Sequence, residues 1–232
     1  MVLLPTLWDV LTINLRGIWP EGRTKFTPGG RGLGDVWKVS TLDSLNDGIF
    51  DLQVWLISGL QSLVPFHKLT QWLCYSLLQV LKKADIIIEG EQLLTALPEY
   101  RNGGLLVDTG LLTLRADLVQ QGLAAYRANA LLPGQPAVEV IPLFSPDSDV
   151  IVEWRACTVA IIDSLVPLIN KSLGYISTEM SVNCRTGRSM APLSLAQILE
   201  AGTWKAGREL AEVSRPNTKE PPIGLLASDG TV

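Results

Sequence analysis

The chain has 232 residues, 47% of them hydrophobic and 18% charged, with a formal net charge of -4. That length and apolar content suffice for one sizeable core and favour a single domain over two small ones. The mildly acidic balance leaves no global basic footprint, so neither nucleic acid nor an anionic membrane is expected as a partner.

The opening decapeptide, MVLLPTLWDV, has no basic n-region and no small-residue cleavage site, so it does not read as a signal peptide. Residues 21–38 are rich in Gly, Pro and Arg and read as a loop. Within them GGRGLGD lacks the GK[ST] ending of a phosphate loop and reads as a surface turn. The greasy stretch 49–66 is interrupted by Asp51, Gln53 and Gln61. It is too polar to span a bilayer and is expected to be a buried core helix.

From Leu69 the apolar residues Leu69, Trp72, Leu73, Leu77, Val80 and Leu81 recur at three- and four-residue steps and predict a helix, with Lys82 and Lys83 at its C-terminus. Ile86-Ile87-Ile88 reads as a lone strand, followed by a further helical segment ending near Pro98. Residues 131–149 carry four prolines and read as a long loop. Asp147 or Ser148 can then cap a helix whose stripe is Val152, Ala156, Val159, Ile162, Val166 and Ile169, stopping at Gly174. After a polar loop over 177–192, Ser194 and Gln197 make a capping-box pattern with Leu193 and Ile198 as a staple, opening a helix to about Val213. The tail, 214–232, is turn-rich. Helical stripes outnumber strands, so the class is mainly α, helical and bundle-like, with few short strands.

The chemistry is narrowed by what is scarce. Three cysteines, Cys74, Cys157 and Cys184, include no CxxC pair, and His67 is the only histidine. Neither a disulfide framework nor a zinc site is indicated, and three reduced thiols fit a cytoplasmic protein. There is no GxSxG elbow for a nucleophilic serine. Carboxylates and arginines are better represented. Glu99, Tyr100, Arg101 and Asn102 stand together after a proline and before two glycines, either as a pocket mouth or as a helix start whose acid complements the dipole. Asp108, inside the apolar run LLVDTGLL, is either buried and paired or faces a pocket. Glu153 and Arg155 are two apart and do not face each other on a helix. Each needs a partner elsewhere, with Arg101 a candidate for Glu153, unless both are simply solvated. His67 sits either at a pocket rim or in a structural role, one turn before Gln71 and Trp72.

Five segments, PFHKLTQWLCYSLL, LTALPEYRNGGLLVDTGLL, VEWRACTVAIID, GTWKAGRELA and SDGTV, with GDVWK nearer the start, resemble in family order the uracil-catabolism family of yeasts, also called the uracil-regulatable type. Family members are considerably longer at the N-terminus, so the resemblance makes this chain the C-terminal portion of a longer protein. What it implies is a pathway in which the uracil ring, once ribosylated, is opened to a ribosylurea whose urea and ribose (phosphate) must be separated.

A second, more distant similarity links LTALPEYRNGGLLVDTGLL and VEWRACTVAIIDSL to the LTxxADYRVPQ and ExEIRA segments of the queuosine-nucleotide glycosidases. Those are all-helical proteins related to the DNA glycosylases, and they hydrolyse an N-ribosidic bond. Glu99 falls where that family has its catalytic Asp. The resemblance thus implies an N-glycosidase acting on a small ribosylated substrate, without cofactor or metal, with other uracil-catabolism enzymes as its partners. Glu99 would stabilise an oxocarbenium-like state or activate water, and a general acid would come from Asp108, Glu153 or Asp229. Substrate contacts would come from His67, Gln71, Trp72, Tyr100, Arg101, Asn102, Arg155 and Asp229. The alternatives are a non-catalytic scaffold for pathway enzymes, or a uracil phosphoribosyltransferase, for which the chain shows no pyrophosphate loop after a strand.

Overall fold

The computed structural model of the chain describes residues 1–18, 34–40, 63–129, 138–175 and 192–226. Most of these residues are helical, and the strands are two or three residues long. The first strand, β1 (Val2–Leu3), runs straight into helix α1 (Leu4–Asp9), whose first turn holds Pro5, where a missing N–H costs nothing. The helix continues as a π-helical turn, Val10–Asn14. Leu4 and Leu11 bury against Cys74, Leu78 and Leu94.

Strands β2 (Val36–Lys38) and β3 (Leu63–Pro65) pair antiparallel, Trp37 opposite Val64. The loop expected through residue 38 therefore ends in a strand. The helix expected over 49–66 closes in another, while residues 49–62 lie outside the described ones, as do the first five residues of GGRGLGD. Trp37, Val39, Phe66 and Val152 form the apolar cluster that covers this ribbon.

Helix α2 (Lys68–Lys83) stands where its periodicity predicts, but its face is rotated. The buried residues are Thr70, Gln71, Cys74 and Leu78, while Trp72 is 58% exposed. Hydropathy alone chose the wrong flank. Gln71 can go inside because both ends of its carboxamide are bonded there: Nε2 donates to the Phe66 carbonyl at 3.1 Å, and Oε1 accepts the Thr95 N–H and hydroxyl, each at 3.1 Å.

Strand β4 (Ile88–Glu89) pairs in parallel with β1. The segment from there to Pro98 is not the helix expected but a single 3-10 turn, Glu91–Leu93, followed by extended chain. Side chains supply the backbone partners that a helix would have provided. Gln71 takes the Thr95 N–H, and Asp163 accepts the Ala96 N–H at 2.7 Å. The helix begins only after the proline, as α3 (Tyr100–Asp108).

After α4 (Ala116–Asn129) the chain enters β5 (Leu143–Phe144), then α5 (Asp149–Ser172), capped by the Ser148 side chain and followed by Gly174 at φ 78°. Helix α5 is the spine of the protein. Its Ile151 and Trp154 pack with Phe144 and Ile223, its Val152 with Trp37 and Phe66, and its Ile162 with Ala96 and Leu199. The predicted capping box of Ser194 and Gln197 opens α6 (Leu195–Ile198), which passes through a π-helical turn, Leu199–Thr203, into α7 (Trp204–Ser214). The final strand, β6 (Gly224–Leu225), pairs in parallel with β5. Among the described residues no helix is long and apolar enough to cross a membrane.

Helix α7 lies against α3 at a distance only glycine permits. A Cβ added at Gly207 would stand 2.0 Å from the carbonyl oxygen of Arg101. Gly207→Ala must push α3 aside, and overpacking of this kind costs about 1–3 kcal/mol. A drop of that size in the free energy of denaturant unfolding checks it.

Candidate functional site

The deepest polar contact joins Asp35, just before β2, to Arg155 on the second turn of α5. Nη1 and Nη2 of Arg155 donate to Oδ1 and Oδ2 of Asp35 at 2.9 and 2.8 Å, and the two side chains are 1% and 8% exposed. The remaining capacity is spent locally. Arg155 Nε donates to the Pro98 carbonyl at 3.2 Å, and its guanidinium lies 4.0 Å from the Phe66 ring centroid. Asp35 also accepts the Trp37 indole N–H at 2.5 Å and the Lys68 backbone N–H at 2.9 Å. Burial pushes the Asp35 carboxyl upward, but the Arg155 hydrogen bonds and charge, with those from Lys68 and Trp37, outweigh it and hold the acid below its ordinary value.

Glu99 follows directly on Pro98 and is 7% exposed. It caps α3 with its own side chain, accepting the Asn102 N–H at 2.6 Å. Glutamate is not a preferred cap, being longer and costlier to order than Asp or Ser, so capping alone does not explain its choice. Burial raises its carboxyl above the usual range, against the pull of the Asn102 and Arg101 N–H groups and the charges of Lys68 and Arg101. Those two cations flank the Tyr100 ring, Lys68 Nζ at 5.8 Å and the Arg101 guanidinium at 5.0 Å from its centroid. A buried acid of raised proton affinity, acted on by the charges of two nearby cations, is an arrangement suited to proton transfer.

The other residues singled out in the sequence are distributed around this centre. Asn102 is buried and structural in its bonding: Nδ2 donates to the Leu97 carbonyl at 3.1 Å, and Oδ1 accepts the Thr203 hydroxyl at 2.9 Å. Arg101 Nη1 donates to the Lys219 carbonyl at 3.0 Å. His67 adopts a left-handed φ of 47°, its N–H directed, like that of Phe66, at the Asp35 carbonyl. Its ring meets Trp8 edge-on at 6.1 Å, and burial lowers its pKa despite the nearby Asp35 charge. Gln71 and Thr95 border a cavity of about 230 Å³, walled by Phe66, Ala156 and Val159.

Asp108 is buried and paired, held by both terminal nitrogens of Arg215 at 2.9 and 2.5 Å. Arg155 is not solvated, and the acid that meets it is Asp35 rather than its neighbour in sequence. Glu153 and Trp72 are exposed, and Asp229 and Cys184 lie outside the described residues. Among the described residues no His, Cys, Asp and Glu cluster could hold a metal ion. The residue that sequence reasoning missed is Asp35. Its one signal was the GDVWK match, because 120 positions separate it from Arg155 and no spacing rule spans that gap.

Removing one partner strands a buried charge. Asp35→Asn or Arg155→Met is expected to cost about 3–5 kcal/mol in denaturant unfolding. The acid's depressed pKa also sets a window: its contribution is present above the ordinary value of 3.8 and is lost as pH falls through the lower folded value. A parent protein whose stability does not fall in that acid range more steeply than that of Asp35→Asn contradicts this reading.

The comparisons with known proteins give the chain its place. Residues 1–232 match the family model described as a protein of unknown function, DUF1688. The chain is 42% identical over 233 residues to uracil catabolism protein 4 of Lachancea kluyveri, an alignment covering 99% of this chain and 45% of that protein. It is 41% identical over 227 residues to protein urg3 of Schizosaccharomyces pombe, covering 97% of this chain and 43% of that one. It thus spans less than half the length of these relatives, and no solved structure matches it. With the whole chain matched and two relatives above 40% identity, this protein belongs to the DUF1688 family, together with uracil catabolism protein 4 and urg3.

Proposed function

We propose that this chain acts in uracil catabolism and carries, at Glu99, the site where the N-ribosidic bond of a ribosylurea or its phosphate is hydrolysed to urea and ribose or ribose phosphate. The pathway rests on the name of the L. kluyveri relative. The reaction rests on one observation: a buried glutamate, its proton affinity raised, capping a helix under the influence of the Lys68 and Arg101 charges. The mainly helical architecture is compatible with the N-glycosidase fold related to the DNA glycosylases.

In this reading water attacks the anomeric carbon as its bond to the urea nitrogen breaks. Glu99, as carboxylate, stabilises the oxocarbenium-like charge and takes the proton of the attacking water. A base whose pKa is raised toward neutrality accepts that proton more readily than an ordinary glutamate. The departing urea nitrogen takes a proton from a general acid, for which Glu153 and Asp229 remain the candidates; Asp108, with both oxygens engaged by Arg215, instead ties α3 to the chain after α7. Lys68 and Arg101 supply positive charge for a 5′-phosphate, with Tyr100 between them as a packing surface. His67, Gln71 and Trp72 lie along the first turns of α2, where Gln71 borders the cavity and Trp72 offers an exposed indole. Asn102 and Arg155 act by holding the start of α3.

One observation favours a second reading. The relatives are more than twice as long as the aligned stretch, so the chain could act as a binding partner to residues supplied elsewhere. A transferase reading is tested by incubation with uracil and phosphoribosyl pyrophosphate.

Glu99→Gln should fold and lose turnover, by about 100-fold or more in kcat given the usual worth of a positioned base. Urea release at near the parental rate removes Glu99 from the mechanism. In the parent, kcat/KM should rise with pH through an ionisation above the ordinary glutamate value of 4.5. Stability supplies a second check. A carboxyl whose folded pKa is raised favours the folded state while protonated, and that contribution is lost as pH rises through the folded value. Glu99→Gln should therefore gain stability relative to the parent as pH rises from the ordinary value of 4.5 through the raised folded value. A constant difference across that range contradicts the raised pKa.

A further inference from the structure

We infer that Asp35 is the positioning residue for the hydrolysis assigned to Glu99, an inference that rests on that reading. Three of its atoms fix the entry points of both helices that carry the site. The carboxylate accepts the backbone N–H of Lys68, the first residue of α2. Its carbonyl oxygen accepts the N–H groups of Phe66 and His67 at 2.8 and 3.3 Å, which sets the left-handed turn into that helix. Through the bidentate contact it aims Arg155, whose Nε grips the carbonyl of Pro98, the residue before Glu99. Lys68 extends from the first anchor to the Tyr100 face, and its charge acts on Glu99. Acid and cation are thus placed relative to each other by one aspartate from a distant part of the chain.

A buried ion pair is a poor choice for stability alone, since apolar residues of similar volume fill such a space as well or better. Its directional bonds are what an apolar pair cannot reproduce. Here those bonds end on the two backbone points that bracket the site. Misplacement of a reacting group by about 1 Å can cost about 100-fold in rate.

The test separates position from stability. The double variant Asp35→Leu with Arg155→Met removes both charges and should melt near the parent temperature. Its kcat on ribosylurea 5′-phosphate should fall at least about tenfold with KM nearly unchanged. Asp35→Glu keeps the charge but lengthens the arm by one methylene, and should lower kcat in the same way. Backbone amide exchange of Gln71, Asn102 and Gly103, in the first turns of α2 and α3, should quicken in both variants while α4 is unaffected. His67, the only histidine, gives a further readout: Asp35→Asn should lower its imidazole titration, because the Asp35 charge raises it.

Parental kcat in either folded variant overturns the inference. If the parent itself releases no urea, the Glu99 reading fails on its own. The positioning role is then judged by exchange, and unchanged protection at Asn102 and Gly103 overturns it.

Discussion

The buried ion pair of Asp35 and Arg155 organises the described core of this protein. Asp35 and Arg155 stand 120 positions apart in the chain and meet where the β2–β3 ribbon, the start of α2 and the start of α3 converge on α5. Each partner is nearly fully desolvated, so each depends on the other and on the bonds that use its remaining capacity. Those bonds run to Trp37, Lys68 and Pro98, and Phe66 stacks beneath the guanidinium. Apolar packing supplies most of the driving force for folding. The ion pair decides instead where the polar ends of the elements stop.

The electrostatic contrast between Asp35 and Glu99 follows from that arrangement. Both acids are buried to a similar degree, at 8% and 7% exposure. Asp35 has a guanidinium fork on it and is held ionised, while Glu99 has backbone N–H groups and more distant cations, and burial wins. Two carboxyls whose surroundings drive their pKa values apart are suited to different tasks, one holding and one exchanging a proton.

The sequence announced what is local and concealed what is not. The Ser194–Gln197 capping box and the Ser148 cap with its long stripe through α5 were legible because their partners lie within a few residues. The segment before Pro98 was misread as helix because its N–H groups are satisfied by Gln71 and Asp163, far away in the chain. The burial of Gln71 in place of Trp72 on α2 has the same cause, since hydropathy does not foresee a carboxamide with three bonds waiting. The cluster around Glu99 stood out as polar residues after a proline and before glycines. The glycines find a packing reason as well: a Cβ at Gly103 would stand 2.7 Å from Thr158 and Trp154 side chains. Asp35 was invisible as a partner because its loop reads as a glycine-rich turn, and only the fold brings it to Arg155.

The central claim is that these helices hold a site for cleaving a ribosylurea. The most direct measurement is urea release from synthetic ribosylurea and its 5′-phosphate, using this chain beside a version extended to the full length of its relatives. The account predicts release by the extended protein, and by this chain too if the described helices complete the pocket. No release by either protein, with both shown to be folded, contradicts it.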